Sequence, residues 1–316
     1  MQELVNGLIS KPKYLPFWYH YDDEGSRLFD ELIEKCAWYY FHRYELQLLQ
    51  STSNSIVHDL KTPIALVDLG SGNAVKTRLL FDQLLQKDTY IVYMPVDISK
   101  EYLENITKQL KNEYGNAIEI RQFGCHYFDA LEEIRKYPER KLYVWFGGLQ
   151  CLSYKDQIHY LTEISKAMDY DDSLLITADI TDHSQKRTIE LAYLDPEGYE
   201  GRFHFNCINR LNREFKGNID ISKFDMKNKV VLNKSTDSCS YNAVWMEALE
   251  DSVFNIDGLN LTLKFQRGEK LFFHEGEGSS CKYTIEQIKH ICDQGSFLVV
   301  DQWTNRHVGC LLLKRK

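Results

Sequence analysis

The sequence predicts an α/β protein with a mostly parallel sheet, an antiparallel C-terminal hairpin and a second, smaller α+β lobe. Between residues 64 and 180, five short apolar runs alternate with segments of helical periodicity. At 295–316, two strand-like runs flank a short turn around Thr304 and Asn305, and between 182 and 280 the alternation is absent. Alternating strands and helices are typical of a parallel sheet covered on both faces, whereas a short turn between strands indicates an antiparallel pair.

The five predicted strands are apolar runs that end in turn-forming or acidic residues. The gaps between them can hold helices, and in the first two gaps the apolar residues recur on one helical face. The strands are IALVDLG (64–70), YIVYMPVD (90–97), AIEIRQFG (117–124), KLYVWFGG (141–148) and SLLITADI (173–180), and the helices are predicted at 73–86, 99–114, 125–137 and 153–168.

The segment 182–280 predicts an inserted lobe of mixed α and β structure. It opens with a stretch dominated by Tyr, Phe and Asn and continues with strand-like pieces that lack regular intervening helices. These pieces are KNKVVLN (227–233), YNAVWMEAL (241–249), LNLTLKFQ (259–266) and EKLFFHE (269–275). The N-terminal stretch 1–55 is helical in part and is compatible with packing on either lobe.

Composition excludes several classes of function. Lys and Arg number 38 against 46 acidic residues, a net charge of -8, so that a nucleic-acid partner is not expected. The eight cysteines form no C-x-x-C pair and no zinc-type cluster with histidine, which predicts reduced thiols and no metal site. Neither a signal-peptide core nor an apolar run of about 20 residues is present, so that we expect a cytoplasmic protein without membrane insertion.

The stretch VDLGSGNAVKTRLL (67–80) places a glycine turn directly after the first predicted strand. A dinucleotide fingerprint requires a third glycine where Val75 stands, and a P-loop requires four residues between its glycines. The S-adenosylmethionine turn requires an acidic residue near the strand end, close glycines and a carboxylate after the second strand. Asp68, Gly70-Ser71-Gly72 and Asp97 supply these groups in order.

An acid in the position of Asp97 would also bind an NAD ribose, so that this residue alone does not discriminate between the cofactors. The C-terminal hairpin does discriminate. A seven-stranded sheet whose last strand is antiparallel characterises the class I S-adenosylmethionine-dependent methyltransferases and is unusual in dinucleotide dehydrogenases. The sequence therefore favours S-adenosylmethionine as the cofactor.

Longer stretches make the resemblance specific. The sequence resembles the histidine-specific Nα-methyltransferases of the ergothioneine pathway and their relatives, the fungal dimethylallyltryptophan N-methyltransferases. The matching stretches are YDDEGSRLFDELIEKCAWYYFHRYELQLL (21–49), VDLGSGNAVKTRLL (67–80), MPVDIS (94–99), DSLLITADI (172–180), AY (192–193) and SSCKYT (279–284).

The resemblance implies a class I methyltransferase fold and a division of the chain into two parts. Residues 41–185 plus 281–316 are expected to bind S-adenosylmethionine, and residues 1–40 plus 186–280 to form the substrate lobe. The resemblance further implies cofactor contacts from Gly70, Lys76 and Asp97, with Ser71 and Gly72 in the same turn.

For the substrate, the resemblance implies that Tyr21, Tyr39 and Tyr193 face a small amino acid or amine, with Tyr21 and Tyr39 as the catalytic pair and Ser280 as the matched serine. Methyl transfer to an amine is an in-line displacement, so that the site must position the nitrogen and accept or exclude its proton. Tyrosine hydroxyls can orient an amine without adding a charge that would repel a sulfonium.

Two positions depart from the histidine-specific pattern and enlarge the expected pocket. Gly278 stands where the histidine enzymes carry a glutamate that holds the imidazole, and Val244 stands where they carry a larger methionine. The tryptophan-type relatives also carry glycine at the first position. An indole or another bulky apolar side chain is therefore expected to fit better than an imidazole.

A third departure lies in FGGLQCLSY (146–154), where Cys151 occupies the position of the asparagine that holds the substrate head group. A thiol cannot replace an amide. Either Gln150 takes over this role, or the substrate lacks the usual α-amino acid end.

The region that should meet the adenine also departs from the family pattern. After the third strand the chain reads FGCHYFDA (123–130), which makes Cys125, His126 and Asp129 the candidates for the adenine side of the cofactor site.

These features predict an S-adenosylmethionine-dependent N-methyltransferase acting on a small aromatic, tryptophan-like amine or amino acid, without a metal or a covalent intermediate. The alternatives are a histidine Nα-methyltransferase and a catalytically silent family member that acts as a binding protein. A dinucleotide oxidoreductase is the remaining alternative. Oligomeric state is not predicted.

Overall fold

The computed structural model describes residues 2–58, 64–87, 90–275 and 280–316. Its regular elements within these ranges are ten helices and fourteen strands. The helices are α1 (Gln2–Ile9), α2 (Asp23–Lys35), α3 (Tyr40–His58), α4 (Val75–Leu85), α5 (Lys100–Tyr114), α6 (Tyr127–Ile134), α7 (Tyr154–Ala167), α8 (Lys186–Tyr193), α9 (Tyr199–Phe215) and α10 (Ile285–Gln294). The strands are β1 (Lys13–Tyr14), β2 (Ile64–Leu69), β3 (Ile91–Val96), β4 (Ile118–Ile120), β5 (Lys141–Phe146), β6 (Ser173–Asp179), β7 (Phe224–Val231), β8 (Ser240–Ala248), β9 (Ser252–Ile256), β10 (Leu261–Phe265), β11 (Lys270–Phe272), β12 (Ser280–Lys282), β13 (Phe297–Thr304) and β14 (Val308–Arg315).

The larger sheet has seven strands in the order β4-β3-β2-β5-β6-β14-β13. Its first five strands are parallel, and β14 runs antiparallel to both β6 and β13. Every residue of β2, β3, β5 and β6 is buried, which explains why these runs are continuously apolar rather than alternating. The predicted class I methyltransferase sheet with its antiparallel C-terminal hairpin is confirmed.

The elements of this sheet lie close to their predicted positions, with one clear difference. The run at 117–124 predicts a strand of eight residues, but β4 contains only three. β4 is the edge strand and pairs with β3 only. Beyond Ile120 the regular ladder ends, although the N–H groups of Arg121 and Phe123 still donate to carbonyls of β3 (2.8 and 2.9 Å).

The second sheet is built around β8, the longest strand of the chain. β7 pairs with β8 along eight residues, while β11 and β12 also run antiparallel to it. The short strand β1, from the N-terminal segment, adds in parallel to β11, and β9 and β10 form a separate hairpin. The second, smaller α+β lobe is thus present, with α8 and α9 preceding its strands.

Strand β12 links the two sheets. It pairs with β8 through Ser280, Cys281 and Lys282. The sequence instead predicts that the chain returns to the cofactor-binding part at residue 281. The residue after Lys282, Tyr283, donates its N–H to the carbonyl of Asp179 at the end of β6 (2.9 Å). The return to the larger sheet therefore begins only after Lys282.

Helix α2 connects the N-terminal segment to both parts of the molecule. The Asp22 side chain accepts the Gly25 N–H at the start of the helix (2.8 Å) and an amide hydrogen of Asn206 in α9 (2.8 Å). On the other side of α2, the Asp23 carboxylate accepts the hydroxyl of Ser99, just before α5 (2.7 Å). The N-terminal segment therefore contacts both lobes.

No helix among the described residues is long and apolar enough to cross a membrane.

Candidate active site

The glycine turn lies between β2 and α4, at the carboxyl end of the parallel strands. Gly70 and Gly72 both have positive φ angles, +72° and +50°, which residues with a side chain rarely adopt. A Cβ on Gly70 would lie 2.7 Å from the Tyr127 hydroxyl, so that glycine is required there for space as well. A Cβ on Gly72 would meet no described atom within 4 Å, and this side of the turn is open to a ligand.

Asp68 stabilises the glycine turn through side-chain hydrogen bonds. It is buried, and its Oδ2 accepts the hydroxyls of Thr77 in α4 (2.5 Å) and Tyr93 in β3 (2.8 Å). Burial raises the pKa of this carboxyl to about 6, although both hydrogen bonds oppose the shift. Asp68 therefore joins the first turn of α4 to the sheet.

Asp97 follows β3 and lies beside the turn. Its two oxygens accept the N–H groups of Gly72 (3.1 Å) and Ser99 (3.0 Å), and burial raises its pKa. The structure therefore places Asp97 beside the glycine turn. This is where an acid that contacts the ribose of the cofactor is expected. Helix α2 covers the same region, since Asp30 accepts hydrogen bonds from Asn73 in the turn and Tyr102 in α5.

Lys76, in the first turn of α4, points toward the end of β5. Its ammonium group lies 3.0 Å from the carboxylate of Glu45 in α3 and donates to the Phe146 carbonyl (3.3 Å). Glu45 is buried and also accepts the hydroxyl of Thr177, which in turn accepts the Gly147 N–H (2.8 Å). This network fixes the end of β5 next to the glycine turn.

Cys125 and His126 lie at the start of α6. The Nδ1 of His126 accepts the Phe128 N–H (3.4 Å), and its Nε2 lies 3.2 Å from the Tyr160 hydroxyl. Burial lowers the pKa of His126 and raises that of the half-buried Cys125 thiol. Asp129 is exposed in the first turn of the helix.

Tyr127, the residue after His126, reaches the glycine turn, where its hydroxyl lies close to Gly70. No sequence motif marks it.

The three tyrosines expected at the substrate are close together. The ring of Tyr39 lies 6.0 Å from that of Tyr193, and Phe29 lies between Tyr39 (6.2 Å) and Tyr21 (5.8 Å). Burial raises the pKa of all three phenols well above the usual value, so that each remains a neutral hydroxyl at physiological pH.

A buried ion pair fixes one side of this group. Lys282 of β12 lies 3.0 Å from a carboxylate oxygen of Asp179, and both side chains are completely buried. The lysine also donates to the hydroxyls of Tyr193 (2.9 Å) and Ser280 (2.8 Å), and Tyr193 donates to Ser280 (2.6 Å). With two hydrogen bonds accepted, Ser280 retains its own hydroxyl hydrogen as a donor.

Gln150 and Cys151 lie in the short helical turn after β5. The buried Gln150 accepts the Asp179 N–H through its side-chain oxygen (3.1 Å), which leaves its amide nitrogen as the group that can face a substrate. The Cys151 sulfur lies 3.8 Å from the Gly147 carbonyl, and burial raises its pKa to about 12. Its thiol is protonated at neutral pH, which disfavours a nucleophilic role.

Val244 of β8 is fully buried in the largest apolar core. The same strand pairs with Ser280 of β12 through Asn242. Gly278 lies outside the described residues, so that its predicted place in the pocket stays a prediction.

One group of possible metal ligands occurs among the described residues. Cys36, Asp195 and Glu197 bring ligand atoms within 4.8 Å of one another. Both oxygens of Asp195 already accept N–H groups at the start of α9, from Tyr199 (3.1 Å) and Glu200 (2.8 Å). The arrangement is explained by helix capping.

Besides Tyr127, four functional candidates are not marked by a sequence motif: Glu45, Asp179, Glu200 and Lys282. Lys282 lies within the matched stretch SSCKYT, and Asp179 ends a predicted parallel strand, where functional groups of such sheets collect. Glu200 is an acid within the aromatic stretch YEGRFHF, where no motif or spacing marks it. Only the folded chain joins these residues.

The described turn fits S-adenosylmethionine. The open space at Gly72, the half-buried Asp97 carboxylate and the cation of Lys76 are suited to a ligand with ribose hydroxyls and a carboxylate. When bound, this cofactor supplies an electrophilic methyl group.

Comparison with known proteins identifies the family of this chain. The chain matches the histidine-specific, S-adenosylmethionine-dependent methyltransferases over residues 1–314. It is 28% identical over 288 residues to the histidine N-alpha-methyltransferase of Mycobacterium tuberculosis, covering 91% of this chain and 85% of that protein. The corresponding enzyme of Mycolicibacterium smegmatis is 28% identical over 302 residues, with coverage of 95% and 89%.

A shorter similarity, 28% identity over 140 residues, relates the chain to the 4-dimethylallyltryptophan N-methyltransferase of Claviceps purpurea, covering 44% of this chain and 40% of that enzyme. The resemblance inferred from the motifs is confirmed. The chain therefore belongs to the family of histidine-specific, S-adenosylmethionine-dependent methyltransferases, and S-adenosylmethionine is its cofactor.

Proposed function

We propose that this N-methyltransferase acts on the amine of a small aromatic amino acid or related amine, with a tryptophan-like substrate favoured. The observation that carries the proposal is the cluster of three neutral tyrosines, Tyr21, Tyr39 and Tyr193, surrounded by aromatic side chains. Neutral hydroxyls can orient an amine and a carboxylate beside a sulfonium without repelling it.

The aromatic surroundings support a flat apolar side chain on the substrate. Phe203 of α9 lies 5.3 Å from Phe29 and 5.6 Å from Tyr21, in tilted ring contacts. Val244 adds a small apolar residue on the side of β8. An indole favours such contacts with ring edges and faces.

Histidine is the second candidate substrate. It is favoured by the similarity to two enzymes named histidine N-alpha-methyltransferase, which extends over more than nine-tenths of the chain. The departure at Gly278 weighs against it, because it removes the acid that holds the imidazole in the family pattern.

The residue assignments belong to the same proposal. Residues 41–185 plus 281–316 bind the cofactor, and residues 1–40 plus 186–280 form the substrate lobe. The cofactor contacts are Gly70, Ser71, Gly72, Lys76, Asp97, Cys125 and His126, and the substrate contacts are Tyr21, Tyr39, Gln150, Cys151, Tyr193, Val244, Gly278 and Ser280. Catalysis follows mainly from positioning in a site screened from water, since methyl transfer to a neutral amine requires no nucleophile from the protein.

Mass spectrometry tests the proposal directly. The protein is incubated with S-adenosylmethionine and, separately, with histidine, tryptophan, histamine and tryptamine. We expect gains of one or more methyl groups on the indole compounds. Methylation of histidine alone would overturn the tryptophan-like preference. Failure of S-adenosylhomocysteine to bind in calorimetry would instead support a catalytically silent protein.

A further inference from the structure

Glu200 is a buried acid at the substrate tyrosines to which the proposed function assigns no role. It lies in the first turn of α9, on the same buried helix face as Phe203, His204 and Cys207. Because Phe203 contacts the rings of Tyr21 and Phe29, this face of the helix is turned toward the substrate site.

The electrostatics of the site agree with this placement. Burial is the main cause of the raised pKa values of Tyr39, Tyr193 and Tyr21, and the Glu200 carboxyl adds to each shift. The raised pKa of Cys151, again mainly due to burial, has a contribution from Glu200 as well. One carboxyl therefore acts on the three tyrosines and on Cys151.

The carboxyl of Glu200 has few polar partners among the described residues. Its side chain is only 5% exposed, yet among the described residues no hydrogen bond reaches either oxygen. Its nearest polar neighbour is the Nε2 of His204, 3.2 Å away, without the alignment of a good hydrogen bond. A carboxyl more than nine-tenths buried and left without donors is suited to a ligand.

The protons of the adjacent histidines can be assigned from their acceptors. The Nδ1 of His20 must carry a proton, because it lies 3.1 Å from the Phe17 carbonyl, which can only accept. Burial lowers the pKa of His20 and His204, so that both rings are neutral. The Nε2 of His20 then accepts from the Nδ1 of His204 (3.0 Å), and the Nε2 of His204 bears no proton.

An unprotonated nitrogen 3.2 Å from a Glu200 oxygen favours the proton on the acid. Burial also raises the pKa of Glu200 well above its usual value, which agrees with a neutral carboxylic acid. A cation placed at this carboxyl would ionise it and release its proton.

The head-group amide of the family is absent here, since Cys151 stands in its place, and the oxygen of Gln150 is occupied by the Asp179 N–H. We propose that Glu200 binds the ammonium group of the substrate and accepts its proton before methyl transfer. This inference rests on the proposed N-methyltransferase function and assigns the residue that holds the amine.

Three steps lead from the bound ammonium group to the methylated product. Binding of the substrate ammonium ionises Glu200 and releases one proton to solvent. The ammonium then gives a proton to the carboxylate, and the free nitrogen pair forms the bond to the methyl carbon. The carbon–sulfur bond breaks with its electron pair left on sulfur, which yields a methylated ammonium and neutral Glu200.

The pH dependence of this step involves groups from every neighbouring element. His204 lies on the same helix, and the positive charge of Lys282 favours the ionised acid while Asp195 opposes it. The remaining titratable groups near Glu200 are Tyr21, Tyr39, Tyr193, Cys36 and Cys151.

Variant E200Q tests the inference, and E197Q serves as the matched control because Glu197 is exposed three residues earlier. Each protein is assayed with tryptophan and histidine, and binding heats of the same amino acids are measured in buffers of different ionisation enthalpy. We expect E200Q to lose about 100-fold in kcat/KM and to abolish the release of about one proton on binding. Its affinity for S-adenosylhomocysteine and its Tm should match those of E197Q.

Each result has one interpretation. A kcat/KM of E200Q within threefold of the wild type, or persistent proton release, would overturn the role of Glu200 alone. A parallel loss of cofactor affinity and Tm would indicate a structural role and would also overturn it. A wild-type protein that binds the cofactor but methylates neither amino acid nor their amines would remove the proposed function and this inference together.

Discussion

The ammonium group of Lys282 and the carboxylate of Asp179 lie 3.0 Å apart, with no part of either side chain exposed to solvent. Tyr40 donates to the same carboxylate oxygen (2.7 Å), and Tyr193 and Ser280 accept from the lysine. A buried pair of this kind is tolerated because each charge has several partners.

Removal of one partner should therefore be costly. We expect Lys282→Met to lower the free energy of unfolding by about 3–5 kcal/mol, since the Asp179 charge would lose its counterion. Urea denaturation measures the change. The control is Lys264→Met on an exposed position of β10, for which a change within about 0.5 kcal/mol is expected. Equal effects in the two variants would contradict the importance of the pair.

Asp68 should govern the pH dependence of stability near the glycine turn. Its pKa is about 6 in the folded protein against an ordinary value of 3.8, so that its contribution to stability is present below pH 3.8 and is lost as the pH rises through 6. We expect the stability of Asp68→Asn to lack this decrease between pH 4 and 7. Thermal denaturation of both proteins across that range would show a Tm difference that changes with pH. A constant difference across that range would refute the raised pKa.

Removing the acceptor altogether should be worse than neutralising it. In Asp68→Ala, the hydroxyls of Thr77 and the buried Tyr93 lose their shared acceptor. We expect a loss of about 2 kcal/mol in the free energy of unfolding at pH 7, measured in urea, with Asp68→Asn closer to the wild type.

The buried His274 should make the protein sensitive to acid. Its ring stacks on Phe17 and His20 at 5.3 Å, its Nδ1 has no hydrogen bond among the described residues, and burial lowers its pKa well below the usual value. A lowered pKa means that stability is present above pH 6.5 and is lost as the pH falls.

We expect His274→Phe to raise the free energy of unfolding by about 1 kcal/mol at pH 7 and to weaken the loss between pH 6.5 and 5. His159→Phe, at an exposed position of α7, is the control and should change neither quantity. A His274→Phe protein with unchanged acid sensitivity would argue against a buried neutral ring.

Lys76 should contribute to cofactor affinity. Because its ammonium group already lies beside Glu45 and the Phe146 carbonyl, it is held in one place at the end of β5. We expect Lys76→Met to weaken S-adenosylhomocysteine binding about tenfold in calorimetry, as for the loss of a charged hydrogen bond. Lys108→Met, on the exposed face of α5, should bind normally. Unchanged binding by Lys76→Met would leave the lysine a structural residue.

Local sequence patterns predict the four central parallel strands β2, β3, β5 and β6 well, because these strands are buried on both faces and are therefore continuously apolar. The glycine turn, Asp68 and Asp97 were likewise visible, since strand ends and positive φ angles restrict the residue types that are allowed. The family resemblance placed three tyrosines that periodicity alone would assign to an aromatic core.

The remaining part of the site depends on contacts between distant parts of the chain. Glu45 reaches Lys76 only because α3 packs beside α4, and Lys282 meets Asp179 only because β12 ends next to β6. The spacing of these residues along the sequence predicts neither pair. Glu200 is similar, since its orientation is determined by the buried face of α9 and by the capping of that helix by Asp195.

If residues 186–280 belong to the substrate lobe as proposed, the position of β12 also determines how substrate selectivity can be transferred between relatives. A chimera that exchanged only residues 186–280 would place a foreign β8 against Cys281 and Lys282 of this chain, and would separate Ser280 from the ion pair that orients it. The exchange should therefore extend through Lys282 and include Asp179 and Tyr40. Recombination joints placed after Tyr283 would keep the pocket and its buried charges from one parent.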